Sequence, residues 1–328
     1  MHYFITGATG ILGQNLILKL INEQQAIVAL KRKNSIIPDC LKLFPENQLK
    51  WIEGDILDTS SYSDYINPDT KVIHAAASVS FQRSEEESMY SINVEGTKQI
   101  IDTALDKKVN KFIHISSIAS IGRVKGLTLL NENTKWQDSP DHSAYAESKY
   151  YSELEVWRGF EEGLNGFIIN PSVILAQSDW TKSSSTLFKK MASGTIYHPS
   201  GSINTVDVRD VVDSILLLDQ KKVNHERFIC NGSFNTYHAF LSTVAKAFGI
   251  ASPKISINFF MLKTLARLSS ILVLFGKKPI ITTESIKAMS SINEFDSSKL
   301  IKELDFNFRS MDETINWSVP YYIKKYNL

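Results

Sequence analysis

Phe4-Ile5-Thr6-Gly7-Ala8-Thr9-Gly10-Ile11-Leu12-Gly13 joins a short apolar run to three glycines spaced three apart. A helical pattern follows through Ile11, Leu12, Asn15, Leu16 and Leu20. Glycine lacks a Cβ, so it permits a tight strand-to-helix turn and lets a pyrophosphate approach the backbone. The helix beyond presents unpaired N–H groups and the positive end of its dipole to that anion. The segment reads as a dinucleotide site.

Outward from this turn, apolar runs and helical patterns alternate. Strands are expected at Tyr3–Thr6, Ile27–Leu30, Lys50–Ile52, Val72–Ala75, Lys111–Ser116 and Gly166–Asn170, with helices at Ile11–Asn22, Tyr90–Lys107 and Tyr145–Glu162. Such alternation implies an α/β fold of the Rossmann type: a doubly wound parallel sheet with helices on both faces. Ligands then sit beyond the carboxyl ends of the strands. After about residue 170 the rhythm breaks, and Pro171, Pro199, Pro253 and Pro279 punctuate shorter elements. This divides the chain into a nucleotide-binding domain, 1–170, and a smaller mixed substrate-binding lobe, 171–328, partly returning to the sheet.

With 36 lysines and arginines against 35 aspartates and glutamates, the 328-residue chain has a net charge of +1 and no overall field for nucleic acid. Cys40 and Cys230 have no metal or redox spacing and are read as packed small hydrophobes in a reducing compartment. The seven histidines do not cluster with carboxylates, so no metal is expected. The first strand begins near Tyr3, which leaves no room for a signal peptide, and a cytoplasmic location is expected. The apolar segment 257–275 is interrupted by Lys263 and Arg267 and falls short of a membrane span. It reads first as a helical pocket wall, with membrane-surface contact or a dimer face as alternatives.

Tyr145-Ala146-Glu147-Ser148-Lys149 places a phenol and an ammonium on one helix face. An unperturbed tyrosine titrates near pH 10, and a neighbouring ammonium stabilises its phenolate. A second copy, Tyr321 to Lys325, is taken as chance on an amphipathic C-terminal segment. Upstream, Ser116 and Ser117 close an apolar strand, where a hydroxyl can meet a substrate oxygen whose charge changes.

Glycine turn, serine and Tyr/Lys helix in this order resemble an extended short-chain dehydrogenase/reductase. The branch is that of dihydroflavonol-reductase-like and 3β-hydroxysteroid-dehydrogenase-like enzymes and sugar-nucleotide epimerases. The resemblance includes Gly54-Asp55-Ile56-Leu57-Asp58, His74-Ala75-Ala76-Ala77, Asn93-Val94-Glu95-Gly96-Thr97, Asn170-Pro171-Ser172-Val173-Ile174 and Val206 to Val212.

That resemblance implies roles. Ser117 would be the catalytic hydroxyl, Tyr145 would exchange a proton with the substrate, and Lys149 would bond the nicotinamide ribose and lower the Tyr145 pKa. Gly7, Thr9, Gly10, Ile11, Leu12 and Gly13 would hold the pyrophosphate. Asp55 and Ile56 would border the adenine, Ala75, Ala76 and Ala77 would line the cofactor path, and Pro171 to Val173 would flank the nicotinamide. Asn93 would bond backbone or water nearby. Two departures stand out: Ala176-Gln177 replaces an expected glycine-proline turn, and Asn170, to which no role is assigned, stands where many relatives carry arginine.

At the end of the second strand, Lys31 occupies the place of the aspartate used by NAD-binding relatives, and Arg32 matches an arginine of NADP-using reductases. NADP is therefore expected, with NAD as the alternative. His74 is expected to be packed or hydrogen-bonded, His198 to be free to touch substrate, and Arg209 and Asp210 to fix the junction between lobes. Phe81, Phe188, Tyr197 and the 257–275 segment suggest an apolar small-molecule substrate. The sequence thus points to an NADP-dependent oxidoreductase for a carbonyl/secondary-alcohol pair. An NAD-dependent sugar-nucleotide epimerase or dehydratase and a non-catalytic NADP-binding sensor are the alternatives. A homodimer follows from the resemblance only.

Overall fold

Tyr3 and Ile5 leave one face of the first strand and Phe4 the other, and all three are buried. This two-sided burial is what a central parallel strand requires. The computed structural model describes residues 2–124, 126–139, 142–258, 260–264, 282, 285, 286, 289, 290 and 292–328.

The strands that place the site are β1 (His2–Thr6), β2 (Ile27–Lys31), β3 (Leu49–Glu53), β4 (Thr70–His74), β5 (Lys111–Ile115), β6 (Gly166–Pro171), β7 (Val173–Leu175), β8 (Ser202–Asp207), β9 (Glu226–Cys230) and β10 (Ser233–Thr236). Seven of them form a parallel sheet in the order β9-β6-β5-β4-β1-β2-β3. The order reverses between β1 and β4, where Thr6 pairs with His74. A crevice opens at such a switch point because the connections leave in opposite directions. A smaller sheet has the order β10-β8-β7, with β8 antiparallel to β10 and parallel to β7.

The helices are α1 (Ile11–Asn22), α2 (Glu86–Tyr90), α3 (Gly96–Asp106), α4 (Ala144–Glu161), α5 (Thr186–Ala192), α6 (Val208–Gln220), α7 (Tyr237–Phe248), α8 (Ser298–Leu304) and α9 (Met311–Tyr326). Tyr3 and Ile5 pack with Leu16, Ile17 and Leu20 of α1 and Val211 and Ile215 of α6. Phe4 packs on the opposite face with Ile100 and Ala104 of α3 and Val156 and Phe160 of α4. A third core joins α5, α7 and α9 through Phe188, Phe240 and Tyr322.

Three expectations change. The helix foreseen at Tyr90–Lys107 is interrupted by a π turn at Ser91–Glu95, between α2 and α3. Cys230 is buried in the sheet, but Cys40 is exposed on a 3₁₀ turn and does not pack as a core hydrophobe. Most of the apolar segment 257–275 lies outside the described residues. Among the described residues no helix is long and apolar enough to cross a membrane, and no group of three or more His, Cys, Asp or Glu could hold a metal.

Candidate active site

The glycine turn lies at the switch point. Gly7 has φ +68°, and a Cβ there would sit 2.4 Å from the Ala75 carbonyl oxygen. A Cβ on Gly13 would sit 2.4 Å from the Gly7 oxygen, so both glycines are demanded by close backbone approach. Between them Thr9, Gly10, Ile11 and Leu12 form the turn and the start of α1. Gly10 caps α1 without a side-chain hydrogen bond, and the first turn carries no acidic residue. The opening N–H groups therefore remain free for an external anion, the donor set that a pyrophosphate requires.

His74 organises the facing strand end. Thr97 Oγ1 donates to the Asn93 carbonyl at 2.6 Å, so His74 Nε2, 3.0 Å away, must be the donor to Thr97. His74 Nδ1 then accepts from Thr6 Oγ1 at 2.7 Å, and Thr6 Oγ1 accepts from the Ala76 amide at 3.1 Å. Burial drives this histidine down to about 3, so it stays neutral. It is a hydrogen-bonded strut beneath Ala75, Ala76 and Ala77, as expected for a packed residue.

Ser117 leaves the end of β5, and its Oγ accepts from the Ala119 amide at 3.1 Å while capping a short 3₁₀ turn. Tyr145 stands in the first turn of α4, whose N-cap Ser143 accepts from the Ala146 amide. The Tyr145 phenol is hydrogen-bonded by Ser117, which opposes the rise that burial imposes on its pKa. Its ring meets Phe81 edge-on at 6.4 Å. One turn along α4, Lys149 is buried and donates to the Ile115 carbonyl at 3.0 Å. Burial pulls its ammonium down to about 8, with Glu153 opposing. Serine, tyrosine and lysine thus converge beside the crevice. The Tyr145 pKa moves up through burial, opposite to the lowering expected from Lys149.

Asn93 lies in the π turn. Its amide accepts from the Ser78 amide at 2.7 Å and donates to the Ser78 carbonyl and Ser148 Oγ, each at 2.9 Å. Ser148 in turn donates to the Tyr145 carbonyl at 2.8 Å. Asn93 therefore clamps the loop after the alanines to the tyrosine helix.

Behind the serine lies a network that the sequence reading missed. Glu153 is 1 % exposed and accepts from Ser120 Oγ and Asn170 Nδ2, both at 2.5 Å. Arg227 of β9 supplies a cation at 3.3 Å. Asn170, assigned no role from sequence, joins β6 to this cluster. The signal was present in the spacing, since Tyr145, Lys149 and Glu153 recur every four residues on α4. Ser116 turns inward to Ser120 at 3.2 Å, which leaves Ser117 as the hydroxyl beside Tyr145.

At the carboxyl ends of β2 and β3 a cleft of about 670 Å³ is lined by Arg32, Lys33, Asn34 and Ser35 on one side and Glu53, Gly54 and Asp55 on the other. Lys31 forms an ion pair with Glu53 of that lining at 2.9 Å. Arg32 is exposed at the cleft. Ile56 is buried against Gly96, where a Cβ would meet its Cγ2 at 2.8 Å. Pro171 pairs with Cys230 and Val173 with Thr205, so both begin the crossing from the central sheet to the smaller one. Ser172 Oγ between them is buried without a hydrogen-bond partner.

Other residues are placed elsewhere. Phe188 is buried against Tyr322 at 4.9 Å, and Tyr197 is exposed on a strand of the lobe, so neither supports an apolar pocket wall at Tyr145. His198 bonds the Pro199 carbonyl at 2.9 Å and lies against His238. Arg209 pairs with Asp207 at 2.6 Å and covers the Trp317 ring at 4.0 Å, while Asp210 accepts from the Arg309 amide at 2.8 Å. Where a glycine-proline turn was expected, Ala176 accepts from the Tyr322 hydroxyl at 2.6 Å and Gln177 donates to the Trp317 carbonyl at 2.8 Å. The second Tyr/Lys pair lies on α9, with Lys325 donating to Tyr321 at 2.8 Å.

The model of the NAD dependent epimerase/dehydratase family matches residues 3–231. The chain belongs to that family. It is 27% identical to "Sterol demethylase protein B" of Methylococcus capsulatus over 312 residues, 93% of each chain. It is 25% identical to "Anthocyanidin reductase" of Arabidopsis thaliana over 252 residues, 69% of this chain and 74% of that one. The crystal structure of gox2253 superposes with a TM-score of 0.83 at 25% identity, covering 99% of this chain and 98% of the other. The chain is an enzyme of the extended short-chain dehydrogenase/reductase type, with a nicotinamide dinucleotide as its family's cofactor.

Proposed function

We propose that this enzyme is an NADP-dependent oxidoreductase that interconverts a carbonyl and a secondary alcohol on an apolar small molecule. The observation that carries the reading is the convergence of Ser117, Tyr145 and Lys149 beside the glycine turn. The turn from Gly7 to Gly13, Ala75 to Ala77, Pro171, Val173 and Lys149 would hold the dinucleotide, with Asp55 and Ile56 beside the adenine. When bound there, the reduced dinucleotide would supply hydride to the carbonyl carbon. Ser117 orients the carbonyl oxygen and donates to it as charge develops, a contribution of about 3 kcal/mol for such a donor. Tyr145 gives its proton to that oxygen, and a raised phenol pKa keeps the proton available in the reducing direction. Lys149 places positive charge behind the phenolate that results.

Arg32 at the cleft supports the 2′-phosphate form, because its planar fork suits a phosphate. Lys31, held by Glu53, contributes field and not contact. Phe81 against Tyr145 supports an apolar substrate. The relative named as an anthocyanidin reductase favours net reduction.

A second reading, an NAD-dependent epimerase or dehydratase of nucleotide sugars, draws on the family's name and on Asp55 and Glu53 in the same cleft, where a carboxylate would accept from ribose hydroxyls. Calorimetric titration with NADPH and NADH, on wild type and Arg32→Ala, separates the two. At least about tenfold tighter NADPH binding, lost in the variant, is expected. Equal or tighter NADH binding overturns the cofactor assignment. A panel of apolar ketones and aldehydes is then expected to give NADPH consumption that Tyr145→Phe slows by about 10²- to 10⁴-fold. Full turnover by that variant removes the mechanism, and tight cofactor binding without turnover of any carbonyl favours a non-catalytic sensor.

A further inference from the structure

The near-neutral charge of the whole chain conceals an asymmetry. Residues 180–206 and 227–283 contain ten lysines and arginines and no aspartate or glutamate, while the remainder contains 26 and 35. Lys182, Lys189, Lys190, Lys246, Lys254 and Lys263 are exposed in these stretches. None of the six has an ion-pair partner among the described residues.

The same stretches expose large apolar side chains. Ile196 and Tyr197 are 51% and 47% accessible, Ile255 is 43%, and Phe260 and Met261 are 77% and 47%. They are joined structurally: Tyr197 pairs with Ile255 across two short parallel strands, and the Ile255 amide donates to the Ile196 carbonyl at 3.1 Å. Three residues further on, Asn258 Oδ1 accepts from the Met261 amide at 3.0 Å and starts a helical turn. That turn buries Leu262 against Ile257 and Ile286 and leaves Phe260 and Met261 outside.

We infer that this face of the lobe is a docking surface for an anionic lipid membrane. Apolar side chains that enter the headgroup boundary, with Lys254 and Lys263 flanking them in the chain to meet lipid phosphates, are the two attractions an interfacial segment combines. Charge argues against a second copy of the chain, since a twofold contact centred on Phe260 and Met261 would bring the exposed Lys254 and Lys263 of both copies together. The association lies on the surface, because no helix among the described residues is long and apolar enough to cross. It is independent of which carbonyl or cofactor the enzyme uses.

The test is co-sedimentation of the full chain with phosphatidylcholine vesicles, alone or with about 30 mol % phosphatidylglycerol, at about 0.1 M and about 0.5 M sodium chloride. Binding to the anionic vesicles alone is expected, weakened at least about tenfold by high salt and by Lys254→Glu with Lys263→Glu. Phe260→Ser with Met261→Ser is expected to weaken binding as well. The four side chains are exposed, so unfolding midpoint and dinucleotide affinity are expected to match wild type in both variants. Failure of the wild-type chain to sediment with anionic vesicles overturns the inference, as does binding indifferent to the lysine reversals. A dimer in analytical ultracentrifugation that Phe260→Ser with Met261→Ser dissolves, and that vesicles do not displace, assigns the face to a second copy instead.

Discussion

Lys149 is the residue whose ionisation the fold controls most directly. Burial brings its ammonium down to about 8, and the Glu153 carboxylate one turn away opposes that fall. Glu153 is itself held by Ser120, Asn170 and Arg227, so its position is fixed from β6, β9 and the turn after Ser117. Removing the carboxylate charge while keeping the shape, Glu153→Gln, leaves burial unopposed. The Lys149 pKa then falls further, and the alkaline limb of the reductive pH profile is expected to move to lower pH. Glu153→Asp should restore part of the shift. An unmoved limb with uniformly lower activity would reduce Glu153 to a packing role.

At the scale of elements, the glycine turn was legible because its chemistry is local. Helix α1 occupies Ile11–Asn22, the range that its apolar spacing predicts, and its buried residues Leu12, Leu16, Ile17 and Leu20 follow that spacing. The six predicted strands fall within about two residues of those observed, because both-face burial writes itself as apolar runs. What was illegible depends on partners distant in sequence. Phe188 looks like any apolar residue until α9 brings Tyr322 against it. Lys31 reads as a phosphate ligand until β3 supplies Glu53, which pairs with it in register. Asn170 gains its partners only when α4 crosses β6. Within the π turn Asn93 bonds across to Ser148, a partner that no local pattern encodes. Gly13 offers a test at this scale. An alanine Cβ would meet backbone atoms at 2.4 and 2.7 Å, which cannot rotate away as a side chain could. Gly13→Ala is expected to cost about 1–3 kcal/mol in urea unfolding and to weaken dinucleotide binding in parallel. Wild-type affinity in a stable variant would mean that the turn adapts without loss.

For the molecule as a whole, the sheet that builds the crevice also buries two histidines on adjacent strands. His74 and His114 pack with ring centroids 5.4 Å apart, and burial together with the Lys149 ammonium holds both in the neutral form. His74 is driven down to about 3 and His114 well below its ordinary value. In the unfolded chain both would titrate near 6.5. Below that pH the unfolded state therefore binds two protons that the folded state refuses, so stability is full above pH 6.5 and declines as pH falls. Each histidine contributes a slope approaching about 1.4 kcal/mol per pH unit well below pH 6.5, or together roughly 3 kcal/mol between pH 6.5 and 5. Urea unfolding across that window is expected to show this loss. His114→Leu should remove about half of the slope even where it lowers stability at pH 7, since the slope counts protons and not contacts. Equal slopes in variant and wild type would place the acid sensitivity elsewhere in the chain.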